Sequence, residues 1–412
     1  MSIIKKVQET ANHAVFRTLN IGMNLTFTTL PPMRREPRVV RGKGCIREIP
    51  GVLKQLKVTH VLIVSGPSVG RTQVPAIRTA LEANGIKVSH FDQVEPNPSV
   101  QNVESIYQCY ANNGCNGFLA VGGGSPMDAT KVAAARAAKP KVPVEKMGGA
   151  FKVLAKLPPI VCVPTTAGTG SEVTMISLIS KHEEERKFYV ADPSIRPLYA
   201  ILDPELTVSM PPKLTATTGI DALSHAMEAY LAWNYNTDYS IRYAEDAIVK
   251  VFRYLERAYK DGNDMEAREQ MLEASFQAGL AINVGQVGYV HAISHSIGGV
   301  YNSAHGLTIA VVMPYVLEEY GSAVWKKLAH LAEITGIKDS GTEEQKAKAF
   351  IQAIRDLNQR IGIPSKLDFM KAKDLDSIAD RAVKEAASAY SVPVIFDNTR
   401  ARHILNRIML GV

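Results

Sequence analysis

The chain has 412 residues, of which 46% are hydrophobic and 21% are charged, and its net charge at pH 7 is +7. This composition excludes a disordered or fibrous protein and allows two or three domains. Lys and Arg are interleaved with acids, as in KHEEERK (181–187), so a nucleic-acid-binding protein is not expected. The four scattered cysteines form no CxxC pair, which argues against a disulfide framework or a thiolate zinc site and favours the reducing cytoplasm.

Residues 1–36 are predicted to be an N-terminal extension that ends in PPMRREP. This stretch lacks the apolar core of a secretory signal, and Glu9 interrupts its basic character, which makes a transit peptide the weaker alternative. No apolar run in the chain reaches the roughly 18 residues of a transmembrane helix, so no membrane partner is expected.

Residues 37–207 alternate between short apolar runs and helical patterns. We predict strands over 60–66, 86–94, 117–124, 158–166 and 198–204, and helices over 72–85, 103–114 and 128–138. Such alternation indicates a mostly parallel sheet with helices on both faces. From 208 to 412 only helical periodicity continues, as in 239–259 and 267–283. The expected fold class is an α/β domain followed by an all-helical domain, with the boundary near VSMPPK (208–213).

A glycine-rich turn, AVGGGSPMDATK (120–131), follows a predicted strand and opens a helix. Its three glycines allow a sharp turn, Ser125 is the expected N-cap, and Asp128 is placed to complete a capping-box-like arrangement. The helix start would then be an anion site suited to a pyrophosphate. The alternative is that this turn only caps a helix. The segment GKGCIREIPG (42–51) does not match the usual GxGxxG fingerprint of dinucleotide-binding domains, so any dinucleotide is expected to bind in a variant fold.

A second polar loop, VPTTAGTGSEVT (163–174), follows the next strand and is rich in hydroxyl side chains. Both loops would meet at the carboxyl edge of one sheet, where open α/β folds bind their ligands. The two loops together therefore predict a dinucleotide site.

Histidines and one aspartate cluster in the helical part of the sequence. Asp221 and His225 lie four apart in TTGIDALSHAMEAY (217–230), and VHAISHSIGGVYNSAHG (290–306) contains His291, His295 and His305. One carboxylate with several imidazoles suits Fe(II) or Zn(II). HAISH lacks the Glu of the HExxH motif, so a zincin-type peptidase is not indicated. The alternative is that each histidine is an ordinary core or surface residue.

The motifs GGGSPMDATK, PTTAGTGSEVT, GIDALSHAMEAY and VHAISHSIGGVYNSAHG stand in the order and spacing of the iron-containing (group III) alcohol dehydrogenase family. The resemblance spans about residues 37–412 and implies the dehydroquinate synthase-like fold, with a dinucleotide-binding α/β domain followed by a helical metal-binding domain. It implies that the metal ligands are Asp221, His225, His291 and His305. It also implies that His295 lies beside the metal without binding it.

The resemblance further implies a set of cofactor-binding residues, namely Asn97, Gly122, Gly123, Gly124, Ser125, Thr165, Thr166, Thr174 and Lys187. Family members that prefer NAD tend to carry an Asp after the first strand of the sheet, whereas this chain has Gly66 near that place. An acid there would repel a 2′-phosphate, and Ser68 can donate to one. We therefore expect NADP(H) to be accepted, with NAD(H) as the alternative.

The expected reaction is hydride transfer between the nicotinamide and an alcohol, aldehyde or ketone, with the metal as a Lewis acid on the substrate oxygen. Resemblance favours Fe(II) over Zn(II). His295 is the candidate catalytic proton relay, with the cofactor ribose as another route. A hydroxyacid–oxoacid transhydrogenase of the same family is the second reading, and a metallohydrolase is a third. The expected partners are a small substrate and, by resemblance, further copies of the chain in a dimer or larger assembly.

Overall fold

The computed structural model describes residues 35–181, 186–234, 236–338 and 340–412, together with residues 17, 18 and 22. The extension predicted for residues 1–36 therefore lies mostly outside the described residues. None of the helices in the described ranges combines the length and apolar character needed to cross a membrane.

The described part of the chain before residue 203 is organised around β-strands. They are β1 (Arg38–Arg41), β2 (His60–Val64), β3 (Lys87–Phe91), β4 (Gly117–Gly122), β5 (Gly149–Ala150), β6 (Ile160–Pro164), β7 (Ile176–Lys181), β8 (Arg186–Ala191) and β9 (Tyr199–Leu202). Six of them form a sheet in the order β1-β9-β6-β4-β2-β3, and every neighbouring pair is parallel. The predicted parallel sheet is confirmed.

Helices cover both faces of this sheet. They are α1 (Ile49–Gln55), α2 (Pro67–Thr72), α3 (Val74–Ala83), α4 (Val100–Asn112) and α5 (Gly124–Ala138). Along β2, Val61 and Ile63 pack with α1 and α3, while Leu62 and Val64 pack with α4 and α5. Because successive side chains of a strand point to opposite faces, a strand covered on both sides reads as an unbroken apolar run. This is why the central strands were predictable from the sequence.

A smaller sheet, in the order β5-β8-β7, was not predicted. β7 and β8 pair antiparallel over Ile176–Lys181 and Arg186–Ala191, and β5 adds parallel to β8. The hairpin is joined to α5 because the Leu178 N–H donates to Asp128 Oδ2 at 2.8 Å. Its strands carry many polar and charged residues, so they lack the continuous apolar pattern by which the other strands were recognised.

Residues beyond 211 form helices, and no strand occurs there in the described ranges. They are α6 (Pro212–Leu231), α7 (Asp238–Lys260), α8 (Met265–Gly285), α9 (Tyr289–Tyr301), α10 (His305–Tyr320), α11 (Trp325–Ile334), α12 (Glu343–Arg360), α13 (Leu375–Ala389) and α14 (Asn398–Leu410). The two predicted helices correspond to α7 and α8. All of these helices contribute to one hydrophobic core. We propose the domain division at residue 208, between the end of β9 and the start of α6.

The loop after β6 joins the sheet to the helices. Asn283 on α8 accepts a hydrogen bond from the Met175 N–H and donates one to the Val173 carbonyl, both at 3.0 Å. A Cβ on Gly170 would lie 2.7 Å from the Cα of Gly279, so glycine is required for this close approach of loop and helix. The loop is therefore held from the helical side.

Candidate active site

Polar loops follow three adjacent strands at the carboxyl edge of the main sheet. Gly66 follows β2, the glycine turn follows β4, and the loop from Thr165 follows β6. After β2 the chain adds β3 on one side and then returns to add β4 on the other side. The crevice between β2 and β4 is therefore a topological switch point, the place where open parallel sheets bind nucleotides.

The glycine turn brings the loops after β4 and β6 into contact. Gly122 has φ +148°, and a Cβ there would lie 2.8 Å from Pro126 Cγ. A Cβ on Gly123 would lie 3.1 Å from Thr166 Oγ1, and one on Gly124 would lie 2.9 Å from Thr169 Cγ2. Side chains at Gly123 and Gly124 would push the two loops apart, whereas one at Gly122 would collide with Pro126 in the same turn. The N-terminus of α5 consequently lies beside both loops, which is the arrangement expected for the predicted anion site.

The predicted cap of α5 is wrong in detail. The helix begins at Gly124 with Gly123 as N-cap and has no side-chain cap, so Ser125 lies inside the first turn. The extended conformation of Gly123 already supplies the N-cap backbone, which moves the helix start ahead of Ser125. Asp128 does not complete a capping box, because it accepts hydrogen bonds from Ser171 Oγ at 2.6 Å and the Leu178 N–H at 2.8 Å.

A fully buried lysine on α5, Lys131, holds the loop after β6 and the start of β7. Lys131 Nζ donates to Ser171 Oγ at 2.8 Å, Thr174 Oγ1 at 3.0 Å and the Ile176 carbonyl at 3.0 Å. Burial lowers the pKa of Lys131, and the Asp128 carboxylate opposes this. Thr174, predicted to bind the cofactor, is thus buried and engaged by Lys131, and its contact with a dinucleotide stays a prediction.

Two further predicted cofactor residues lie together. Lys187 Nζ on β8 donates to Asn97 Oδ1 at 2.8 Å, which links the small sheet to the segment before α4. Burial lowers the pKa of Lys187, against the opposing charges of Asp128 and Glu385. Gly66 is the N-cap of α2 with φ −82°, and Ser68 lies in the first turn of that helix.

The predicted metal ligands come from three helices. α6 carries Asp221 and His225 one turn apart, α9 carries His291, and His305 is the first residue of α10. His291 Nε2 lies 3.8 Å from Asp221 Oδ1, and His305 Nε2 lies 3.5 Å from the same oxygen. Each of these three residues offers one ligand atom within 4.8 Å of the others.

His225 is adjacent to the group formed by Asp221, His291 and His305 but does not belong to it. Its ring stacks on that of His291 with centroids 4.7 Å apart, and its Nδ1 lies 3.3 Å from the Gly168 carbonyl oxygen. A carbonyl only accepts, so Nδ1 carries the proton and Nε2 is the nitrogen left with a free lone pair. The same contact ties α6 to the loop after β6.

The group fits a divalent metal ion. Asp221 Oδ1 and His291 Nε2 are buried and have no hydrogen-bond partner among the described residues, a costly state unless another group satisfies them. Ligand atoms about 2.1 Å from a tetrahedral zinc ion lie about 3.4 Å apart, close to the separations observed here. Burial lowers the pKa of His291 and His305 well below the usual value, which favours the neutral imidazoles that bind metals.

Two glutamates that support histidines were missed in the sequence. Glu228 Oε2 lies 2.5 Å from His291 Nδ1, and Glu385 Oε1 lies 2.7 Å from His295 Nδ1. Burial raises the pKa of Glu228 to about 8, opposed by hydrogen bonds from the Gly288, Val290 and His291 N–H groups. Glu228 was within reach of sequence reasoning, since it follows Asp221 by two helical turns on the same face. Glu385 has no comparable signal in the sequence.

Two family models match the chain, and between them they span the sheet and the helices. Iron-containing alcohol dehydrogenase matches residues 36–204, and the Fe-containing alcohol dehydrogenase family, C-terminal, matches residues 215–409. These matches confirm the resemblance that was inferred from the four motifs.

Individual relatives extend the likeness over most of the chain. Choline dehydrogenase of Bacillus subtilis (strain 168) is 37% identical over 88% of this chain and 90% of that protein. NAD-dependent methanol dehydrogenase of Bacillus methanolicus is 35% identical over 85% of this chain and 93% of its own. A crystal structure of 1,3-propanediol oxidoreductase superposes with a TM-score of 0.87 at 33% identity, covering 90% of this chain and 98% of that one.

The sequence matches, the fold and the group of metal-binding side chains thus point to the same class of enzyme. They indicate metal-dependent, nicotinamide-linked oxidoreduction of alcohols and aldehydes. We conclude that this chain belongs to the iron-containing alcohol dehydrogenase family.

Proposed function

We propose that this enzyme transfers hydride between NADP(H) or NAD(H) and a small alcohol or aldehyde at a divalent metal held by Asp221, His225, His291 and His305. The observation that carries the proposal is the convergence of Asp221, His291 and His305, with two buried ligand atoms that have no hydrogen-bond partner in the part of the chain that the structure describes. We propose Fe(II) as the metal, with Zn(II) as the alternative. The metal would act as a Lewis acid on the substrate oxygen.

The neighbouring residues set the protonation of the site. Glu385 accepts a hydrogen bond from the Tyr390 hydroxyl at 2.7 Å and lies 2.7 Å from His295 Nδ1. A carboxylate on Nδ1 favours the tautomer whose Nε2 bears a lone pair, and His295 Nε2 is buried without a partner among the described residues. We propose that His295 Nε2 accepts the proton of the alcohol and returns it in aldehyde reduction.

The loops after β2, β4 and β6 would bind the dinucleotide. We propose that the N-terminus of α5 binds the pyrophosphate, with Gly122–Ser125, Thr165 and Thr166 around it, and that Asn97 and Lys187 contact the nicotinamide half. Gly66 and Ser68 would face the adenosine ribose. No carboxylate follows β2 directly, and this supports acceptance of NADP(H).

Relatives act on short alcohols and aldehydes according to their names, which include choline, methanol, 1,3-propanediol and lactaldehyde. We propose a substrate of similar size. The test is a panel of these alcohols and their aldehydes, run with each cofactor on protein whose metal content has been measured. Absence of any NAD(P)H-linked turnover in metal-loaded protein would reject the proposal.

A second family activity, hydroxyacid–oxoacid transhydrogenation, differs in the fate of the cofactor. A transhydrogenase retains its cofactor through both half-reactions, whereas a dehydrogenase releases it. A single turnover with a stoichiometric amount of bound NADPH, followed by rapid dilution, separates the two. A metallohydrolase needs no dinucleotide, so quenching of NAD(P)H fluorescence on binding argues against that reading.

We propose a cytoplasmic location and a homo-oligomeric assembly. All four cysteines are free, as a reducing compartment requires, and Cys45, Cys115 and Cys162 are buried. Light scattering of the full chain measures the assembly, and imaging of a C-terminally tagged chain measures its location.

A further inference from the structure

Glu228 is a buried carboxylate with a defined set of donors. It lies on α6 with 6% of its surface exposed. Its Oε1 accepts a hydrogen bond from the Val290 N–H at 2.7 Å, and its Oε2 lies 2.5 Å from His291 Nδ1. The two oxygens are therefore occupied by two different groups of α9.

The contact with the Val290 N–H caps the N-terminus of α9 with a side chain from another helix, α6. The N-cap of α9 is Gly288, which has no side chain with which to cap the helix. The first N–H groups of a helix need partners, and a negative charge there is favoured by the helix dipole. A Cβ on Gly288 would lie 2.9 Å from Glu228 Oε1, so glycine allows the carboxylate to reach the helix start.

The other contact determines which nitrogen of His291 is free. In its ionised form Glu228 can only accept, so it takes the Nδ1–H of His291 and leaves the lone pair on Nε2. That nitrogen is buried, has no partner among the described residues, and lies 3.8 Å from Asp221 Oδ1. Both the tautomer and the ring orientation of His291 thus follow from one side chain of the helix that also carries Asp221.

We propose that Glu228 is a positioning residue, which fixes the tautomer and orientation of His291 and thereby sets the metal affinity of the site. This inference rests on the proposed function, because it takes His291 as a metal ligand. Loss of a carboxylate behind a ligating histidine typically weakens metal binding about 10- to 100-fold.

The test uses full-length, metal-depleted protein and Zn²⁺ titrated against a chromophoric chelator. Glu228→Gln has one acceptor oxygen for two donors, so we expect a 10- to 100-fold weaker Zn²⁺ affinity. The visible spectrum of the Co²⁺-loaded variant should also change, because the ligand field changes. The matched control is Glu245→Gln, since Glu245 contacts His330 at 3.0 Å on the surface, away from the ligands, and should leave both readouts unchanged.

Each outcome has one meaning. Wild-type Zn²⁺ affinity and an unchanged Co²⁺ spectrum in Glu228→Gln would overturn the inference. If Glu228→Gln does not fold, Glu228→Asp keeps the charge but cannot span both donors, and it should show the same direction of change. Failure of the wild-type protein to bind Zn²⁺ or Co²⁺ would instead refute the proposed metal site itself.

Discussion

Three imidazoles of the active site have different partners at Nδ1. His225 has the Gly168 carbonyl, His291 has Glu228, and His295 has Glu385. The partner determines the tautomer and therefore which nitrogen can bind a metal or take up a proton. All three partners are oxygen acceptors, so each ring presents Nε2 as the nitrogen that is free to bind a metal or take up a proton.

His295→Ala should lower kcat about 100-fold or more and leave the metal content unchanged, because a positioned general acid–base group contributes on that order. Steady-state kinetics across pH and metal analysis of the same preparation measure both quantities. Glu385→Gln should show a smaller loss, since the imidazole remains. An unchanged rate and pH profile in His295→Ala would remove this residue from the mechanism.

Gly66→Asp should shift the cofactor preference toward NADH. Gly66 has φ −82°, and a Cβ there would lie 3.4 Å from the nearest atom, the Val94 carbonyl oxygen, so the side chain fits without strain. A carboxylate at this place would accept from the ribose hydroxyls and repel a 2′-phosphate. We expect the kcat/KM ratio of NADPH to NADH to fall about tenfold, equal to about 1.4 kcal/mol. Gly66→Ala is the control for size, and an equal effect of both variants would contradict the electrostatic reason.

At the scale of elements, the loop after β6 depends on α8. Asn283, 4% exposed, satisfies one N–H and one carbonyl of that loop. The Gly170 N–H donates to Ser275 Oγ on the same helix at 3.2 Å. The loop that we propose to bind the dinucleotide is therefore positioned by a helix that is distant in sequence.

Asn283→Ala should lower stability by about 1–3 kcal/mol, because it leaves two buried backbone groups without partners. We also expect a higher Kd for the dinucleotide, since the loop is then less constrained. Thermal unfolding and fluorescence titration with NADPH measure the two effects. Asn112→Ala, at the exposed C-terminal end of α4, is the control. An Asn283→Ala variant with wild-type stability and an unchanged Kd would show that α8 does not position the loop.

The accuracy of the sequence predictions differed between elements for a physical reason. β2, β4 and β6 are apolar on both faces and were found, whereas β7 mixes apolar with polar side chains, β8 begins with two basic residues, and neither was found. The start of α5 was placed two residues late, since the backbone of Gly123 already forms the N-cap ahead of Ser125. Tertiary contacts with α5 hold the β7–β8 hairpin, and local sequence patterns do not contain such contacts.

At the scale of the whole molecule, the site lies where the sheet edge meets the helices. Asp221 and His225 come from α6, His291 from α9 and His305 from α10, while the loops proposed to bind the dinucleotide follow strands of the sheet. A bound metal would cross-link three helices of the folded state and none of the unfolded chain.

Removal of the metal should therefore lower thermal stability. A ligand at 100 times its Kd stabilises the native state by about 2.7 kcal/mol, and Tm rises accordingly. Calorimetry of metal-depleted protein with and without added Zn²⁺ measures the shift. His291→Ala should show no shift, and equal Tm values for wild-type protein with and without Zn²⁺ would contradict the metal cross-link.

The sequence by itself determined the parallel sheet, the following helices, the two polar loops and the set of candidate ligands. These follow from local periodicity and from motifs, which depend on neighbours in the chain. Only the tertiary structure decided that Asp221, His291 and His305 converge while His225 lies beside them. It also decided that Thr174 accepts a hydrogen bond from Lys131 and that Asp128 accepts one from the small sheet. In the same way, it placed Glu228 against Nδ1 of His291. Those contacts join residues distant in sequence, so packing, rather than spacing, places them.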